Sequence, residues 1–164
     1  MTNNFVFETD LAAKKIYISR EFNAPVEKVW RAWTEPDLIE KWIAPKPWKA
    51  ETKIMDLTVG GIWQYAMVGT EGQRFWVYAV FTAIEKGSVI STMGMFCDGD
   101  GNPVTDGPKS YRDTKFSSLE GNRSKTDSVI TFEDEATIKM FVETGFKEGT
   151  TASFDNLDKL LASE

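Results

Sequence analysis

Histidine is absent from this chain of 164 residues, and cysteine occurs once, as Cys97. Histidine is the commonest general base, the usual activator of serine and cysteine nucleophiles, and the commonest metal ligand. Catalytic sites of the Ser-His-Asp or Cys-His type are therefore excluded, and we predict no catalytic residue and no metal site. A single cysteine cannot form a disulfide within the chain, which favours a cytoplasmic protein.

Positive charge and long apolar runs are also scarce. The chain has 19 Lys plus Arg against 25 Asp plus Glu, a net charge of −6. Nucleic-acid-binding proteins normally carry a basic face, so we expect no nucleic-acid partner. The longest apolar run, residues 75–81, is far shorter than the roughly 20 residues of a membrane helix. We therefore expect no membrane insertion, and the first residues lack the pattern of a secretory signal.

Aromatic residues, in contrast, are abundant: 11 Phe, 4 Tyr and 6 Trp. A buried aromatic side chain removes roughly 150–250 Å² of surface from water. This content indicates either a large close-packed core or a core that encloses an apolar cavity, and the composition leaves both open.

The first third of the chain predicts one strand and two short helices. Residues 15–22 alternate between apolar and polar side chains, which predicts a half-buried strand. Pro25 fits the first position of a helix. A helical apolar spacing follows in Val26, Val29, Trp30 and Trp33. After Pro36, a second short helix is indicated by Leu38, Ile39 and Trp42.

The middle of the chain predicts a six-stranded antiparallel meander, and the end predicts helix. Short turn signals separate strands at residues 49–57, 62–68, 75–85, 88–97, 111–119 and 126–133. Residues 98–108 are rich in Gly, Asp and Pro, which predicts a long loop. From Asp134 to the end, the apolar spacing predicts one long helix that is kinked or broken near Gly145 to Gly149.

Three strings of this sequence carry a family resemblance. They are Arg20-x-Phe22-x-Ala24-Pro25-x-Glu27-x-Val29-Trp30-x-Ala32-Trp33-Thr34-x-Pro36-x-x-Ile39-x-x-Trp42, then Gly60-Gly61-x-Trp63-x-Tyr65, and Phe96-x-Asp98-x-x-Gly101-Asn102-Pro103. The chain resembles the START-like, or SRPBCC, helix-grip superfamily. Within it, the chain is similar to the C-terminal domain of the activator of heat shock protein 90 ATPase.

The resemblance implies a fold and a range of functions. The fold is α+β: a curved antiparallel sheet of about six to seven strands around a long C-terminal helix, with two short helices after the first strand. We expect residues 1–164 to form one such domain, with residues 1–13 loosely ordered. Family members include ligand carriers, cyclases, hydrolases and stress-response proteins, and a shared fold does not transfer chemistry.

The predicted function is binding of a hydrophobic or amphipathic small molecule between the sheet and the C-terminal helix, without a cofactor. The helix-grip arrangement would direct eight large side chains inward: Trp33, Trp63, Tyr65, Trp76, Tyr78, Met93, Met95 and Phe154. Apolar pockets with a few polar groups are the usual sites for small molecules. Plain core packing is the alternative, and both faces of residues 75–97 are apolar, so their inward side is ambiguous.

Other interpretations remain open at this stage. Arg74 or Arg112 would place a guanidinium at the pocket mouth for a carboxylate, although arginines at strand ends are commonly solvated. A module that contacts a chaperone or another protein is the alternative function. An enzyme that uses Tyr65, Tyr78 or a carboxylate as acid or base is a third. The sequence does not determine the oligomeric state.

Overall fold

The computed structural model describes residues 4–44, 46–98, 100, 102, 107 and 109–163. Within them, the chain forms one antiparallel sheet of eight strands and four helices. The strands are β1 (Phe5–Asp10), β2 (Lys15–Phe22), β3 (Lys49–Met55), β4 (Ile62–Val68), β5 (Arg74–Glu85), β6 (Val89–Phe96), β7 (Lys109–Leu119) and β8 (Arg123–Phe132). The helices are α1 (Val26–Thr34), α2 (Pro36–Ile39), α3 (Glu135–Glu143) and α4 (Phe146–Ser163).

The α+β class, the antiparallel sheet and the C-terminal helix are confirmed, and the architecture is consistent with a helix-grip fold. The predicted count of six to seven strands is wrong, because the sheet has eight. Most of the predicted loop over residues 98–108, with Gly101 and Pro103 of the third string, lies outside the described residues.

The additional strand is β1, within the segment 1–13 for which we predicted no element. It pairs with β2, and Phe5 and Phe7 pack against α4 with ring centroids 6.2 Å from Phe154 and 5.9 Å from Phe146. The turn between β1 and β2 contains no Gly, Pro or Asn, and Lys14 supplies its positive φ of 59°. The usual turn signals are therefore absent from the sequence, and the strand was missed. The two short helices follow the second strand, not the first.

The order of strands across the sheet is β1-β2-β8-β7-β6-β5-β4-β3. The six strands from β3 to β8 form the predicted meander, and β2 adds to its far edge by pairing with β8. The sheet therefore presents one continuous inner face to the helices.

The predicted long C-terminal helix is two helices. Asp134 caps α3, since its carboxylate accepts hydrogen bonds at 2.8 Å from both the backbone N–H and the hydroxyl of Thr137. Gly145 ends it with a φ of +94°, a conformation that glycine adopts without strain. Gly149, the other end of the segment predicted to contain the break, lies inside α4.

One part of the inner face is close-packed, and we call it the packed half. It consists of β1, β2, the segment that follows α2 and the C-terminal part of α4, and its large buried side chains include Phe22, Trp42, Phe154 and Leu157. The ring of Phe154 lies 5.7 Å from Phe22 and 6.1 Å from Trp42. The indole N–H of Trp42 donates to the carbonyl of Ala32 at 2.9 Å.

The packed half also contains Arg20, whose side chain is 8% exposed. Its guanidinium donates to the carboxylates of Asp155 and Asp158 on α4, and it lies 5.5–5.8 Å from three phenylalanine rings. Buried charges are normally paired in this way. The pair joins β2 to α4.

Candidate functional site

A cavity of about 460 Å³ occupies the other part of the interior, which we call the open half. Strands β4 to β8 form its floor, α1 and the segment around α2 one wall, and the junction between α3 and α4 another. Its lining is largely apolar, with polar side chains at Tyr65, Thr92, Ser110, Arg112, Thr114 and Thr144.

Three small residues in one row of the sheet provide this space. Ala79, Gly94 and Ser110 lie opposite one another on β5, β6 and β7. Larger residues end the row, Trp63 on β4 and Phe132 on β8. A Cβ built on Gly94 would lie 3.4 Å from Ser110 Oγ, an ordinary contact, so a side chain at this position would extend into the cavity.

Aromatic side chains form the walls. The rings of Trp63 and Tyr65 stack with centroids 4.0 Å apart, and Trp63 donates its indole N–H to Thr52 Oγ1 at 3.1 Å. Trp33 contacts the ring of Phe116 edge-on at 5.3 Å. These contacts hold rigid, flat surfaces against the cavity.

The junction of α3 and α4 closes one side with aromatic contacts. The ring of Phe141 lies 5.2 Å from Phe132 and 5.7 Å from Phe146. Gly145 lies between these helices and lines the cavity as well. The wall is therefore made by two short helical ends that meet at a glycine, not by the middle of a continuous helix.

Arg112 is the one charged residue that lines the cavity among the described residues. Its Nε and Nη2 both donate to the same hydroxyl, Ser128 Oγ, at 3.4 and 3.3 Å. Its guanidinium lies 5.5 Å from the centre of the Trp33 ring, close enough for a cation–π interaction. Burial lowers the pKa of Arg112 to about 10, so the side chain remains charged at neutral pH.

Two neighbouring groups are hydrogen-bond donors at neutral pH. Burial raises the pKa of Tyr65 to about 12, which keeps its phenol protonated. The indole Nε1 of Trp33 is buried and has no hydrogen-bond partner among the described residues. The described lining therefore provides a positive charge and proton donors, but no carboxylate that would act as a base.

Four of the eight predicted residues line the cavity, namely Trp33, Trp63, Tyr65 and Met95. Phe154 belongs instead to the close-packed core, where it is 2% exposed. Trp76, Tyr78 and Met93 do not line the cavity, since β5 and β6 face it mainly through Val77, Ala79 and Phe81 and through Thr92, Gly94 and Phe96. Met95 has the strand parity of Met93 and nevertheless borders the cavity. Whether any of the eight contacts a ligand stays a prediction.

The two arginines have different surroundings. Arg74 lies at the start of β5, 43% exposed, and its Nη1 donates to Glu51 at 2.9 Å. Arg112 has the same strand parity as Ser110, Thr114 and the buried Phe116. That parity was visible in the sequence: polar residues that share a strand face with a core aromatic mark a polar part of the interior.

The fold and its ligand-sized interior define a helix-grip protein with an internal cavity. The family model described as Activator of Hsp90 ATPase homolog 1-like protein matches residues 23–162, and the chain belongs to this family. Membership indicates a ligand-binding or protein-interaction domain. The part of the chain that the family model matches includes α1 to α3, nearly all of α4, the strands from β3 to β8, and therefore Arg112.

Solved structures are similar over almost the whole chain. A protein from Arthrobacter aurescens is 30% identical with a TM-score of 0.89, and the match covers 97% of this chain and 92% of that one. Protein Ms6760 from Mycobacterium smegmatis is 28% identical with a TM-score of 0.87, covering 96% and 97%. CalU16 from Micromonospora echinospora, 20% identical with a TM-score of 0.63 over 98% and 87%, shares the fold. No curated protein matches the sequence.

No helix in the described part of the chain combines the length and the apolar character needed to cross a bilayer.

Proposed function

We propose that this protein binds a hydrophobic or amphipathic small molecule in the cavity of the open half. The observation that carries the proposal is the cavity itself. Its volume of about 460 Å³ falls within the roughly 300–1,000 Å³ of small-molecule sites. The lining has the usual composition of such sites, with aromatic and aliphatic walls and a few polar groups.

The shape of the sheet supports the same function. A row of Ala79, Gly94 and Ser110 leaves unfilled volume that larger apolar side chains would close at a gain in packing. A close-packed interior is the ordinary state of a protein. The packed half shows that this fold achieves it elsewhere in the same sheet. The proposal includes a cytoplasmic location, in keeping with the single, buried, free Cys97.

The test is a substitution on the sheet that fills the cavity with a larger side chain. Gly94→Leu would place a side chain over the small-residue row, and Met93→Leu, one residue earlier on the opposite face, is the matched control. The probe is N-phenyl-1-naphthylamine, a neutral dye whose fluorescence rises in apolar surroundings. We expect the wild type and Met93→Leu to bind it, and Gly94→Leu to bind it at least tenfold more weakly while melting cooperatively. Equal binding by Gly94→Leu, or no binding by the wild type, would contradict the proposal.

A protein-interaction module is the second candidate, and a different surface favours it. Tyr78, Met93 and Tyr111 are neighbours on the outer face of β5, β6 and β7, and Tyr111 is 44% exposed. The family description names an activator of the Hsp90 ATPase, so a purified chaperone of that type is the partner to test. Stimulation of its ATPase that Tyr111→Glu abolishes would favour this function. An unchanged ATPase rate at saturating protein would contradict it.

A further inference from the structure

Arg112 has no counter-ion in the part of the chain that the structure describes. Among the described residues, no carboxylate forms an ion pair with its guanidinium, and none lines the cavity. The acidic residue beside it in sequence, Asp113, lies on the opposite face of β7 and accepts a hydrogen bond from Ser91 Oγ at 2.6 Å. The side chain of Arg112 is partly buried, and withdrawing a charge from water without a partner is costly, so this unpaired charge requires an explanation.

The hydrogen-bonding capacity of Arg112 is also largely unused. A guanidinium has five N–H donors in a rigid fork. The two bonds of Arg112 reach one hydroxyl at long distances of 3.3 and 3.4 Å, and that hydroxyl already bonds Thr114 Oγ1 at 2.8 Å. The remaining donors match the bidentate geometry in which arginine binds carboxylates.

The polar groups nearby favour an anion over a cation. The unpartnered indole N–H of Trp33 belongs to the ring over which the guanidinium lies, and an indole N–H can only donate. Tyr65 remains a neutral phenol at physiological pH, and it lies close enough to Arg112 for each to influence the charge of the other. No second cation lines the described cavity, so the site matches a single negative charge.

The same geometry places the apolar part of the ligand. Arg112 lies opposite Thr92 in the row of the sheet next to the one that contains Gly94 and Ser110. A head group at Arg112 would leave the adjacent volume over Gly94 for an apolar body, with Trp63 at one end of that row and Phe132 at the other. The charged and apolar parts of the lining are therefore neighbours, as an amphipathic molecule requires.

We propose that the cavity selects an amphipathic monocarboxylic acid, whose carboxylate binds the Arg112 guanidinium and whose apolar body lies over the row of Ala79, Gly94 and Ser110. This inference rests on the proposed function and narrows its ligand class. Arg20 supports it by contrast, because two carboxylates from α4 pair with that buried arginine, whereas no carboxylate of the described residues pairs with Arg112. The missing counter-ion would come from the ligand.

The test compares an acid with its neutral counterpart. Displacement of N-phenyl-1-naphthylamine by decanoate and by decan-1-ol is measured on the wild type and on two variants. Arg112→Met keeps an unbranched apolar stem without the charge, and Arg112→Lys keeps the charge without the fork. Arg74→Met is the control for the loss of a positive charge outside the cavity. All variants are first checked for cooperative thermal unfolding.

We expect decanoate to bind the wild type and Arg74→Met at least about tenfold more tightly than decan-1-ol, as a charge-assisted hydrogen bond predicts. In Arg112→Met the preference should disappear while decan-1-ol binding persists, and Arg112→Lys should retain a reduced preference. Equal binding of the acid and the alcohol to the wild type, or a preference that survives in Arg112→Met, would overturn this inference and leave the proposed function intact. Absence of binding by all three compounds would overturn both.

Discussion

The two halves of the interior lie on the same sheet, but they differ in how closely they are packed and in whether their arginine is paired. In the packed half, the rings of Phe22, Trp42 and Phe154 fill the space between β2 and α4, and Arg20 is neutralised by Asp155 and Asp158. In the open half, small residues leave a cavity of about 460 Å³, and Arg112 has no carboxylate partner among the described residues. In the packed half, the apolar side chains are close-packed and the buried charge is paired. In the open half, an unfilled volume and an arginine without a carboxylate partner among the described residues occur side by side.

The largest expected difference concerns aromatic residues. Phe154→Ala should lower the free energy of unfolding by about 3–5 kcal/mol, because it leaves a void among close-packed rings. Trp63→Ala should cost less, about 1–2 kcal/mol, since its ring already borders empty volume. Urea unfolding of both variants measures the two losses in the free energy of unfolding. Equal losses would contradict the prediction, because they would mean that the open half contributes to stability as much as the packed half does.

The second comparison concerns the two arginines, for which we expect effects of opposite sign. Arg20→Met should destabilise the protein by about 1–3 kcal/mol, because it removes charge-assisted hydrogen bonds and leaves carboxylates on α4 without their cation. Arg112→Met should stabilise the ligand-free protein by about 1 kcal/mol, because it removes a partly buried charge that has no carboxylate partner among the described residues. Thermal unfolding of the two variants and the wild type measures whether the two changes in stability have opposite signs.

Arg74→Met serves as the control for this pair. Its exposed contact with Glu51 should contribute no more than about 0.5 kcal/mol. A destabilising effect of Arg112→Met as large as that of Arg20→Met would mean that Arg112 is a structural residue.

The smallest effect concerns α3, the helix beside the open half. Hydrogen bonds from Thr137 hold the pKa of Asp134 below its usual value. The folded state therefore favours the ionised carboxylate, and this contribution is present above the pKa of the unfolded chain and lost as the pH falls through the folded value. The melting temperature of Asp134→Ala should thus be below that of the wild type at pH 7, and the gap should close towards pH 3.

Glu133→Ala, one residue earlier and without the capping bonds, is the matched control for α3. A gap that is the same at pH 7 and pH 3 would contradict the capping role of Asp134.

The sequence was sufficient to predict the fold where its periodicity had one interpretation. Alternation over residues 15–22 and helical spacing from Val26 to Trp33 both reflect elements with one buried side, and both elements form. β1 was missed because its turn uses Lys14 in a conformation that turns usually reserve for Gly or Asn. The break of the C-terminal helix was expected, and the positive φ of Gly145 fixes its position.

The cavity was harder to predict than the fold. Trp63 and Tyr65 line the cavity, whereas Trp76, Tyr78 and Met93 do not. With apolar residues on both faces of β5 and β6, composition cannot indicate the inner one. The cavity itself depends on Gly94, Ala79 and Ser110 meeting across three strands, a relation that appears only once the strand register is known.

The most direct test of the division into two halves uses the six indole N–H groups as reporters. In a ¹⁵N–¹H spectrum titrated with decanoate, the signals of Trp33 and Trp63 should move, and that of Trp33 should move furthest as its unpartnered N–H gains an acceptor. The signal of Trp42, bonded to Ala32 in the packed half, should stay in place. A titration that shifts Trp42 or the outward-facing Trp76 and leaves Trp33 and Trp63 unchanged would contradict the account.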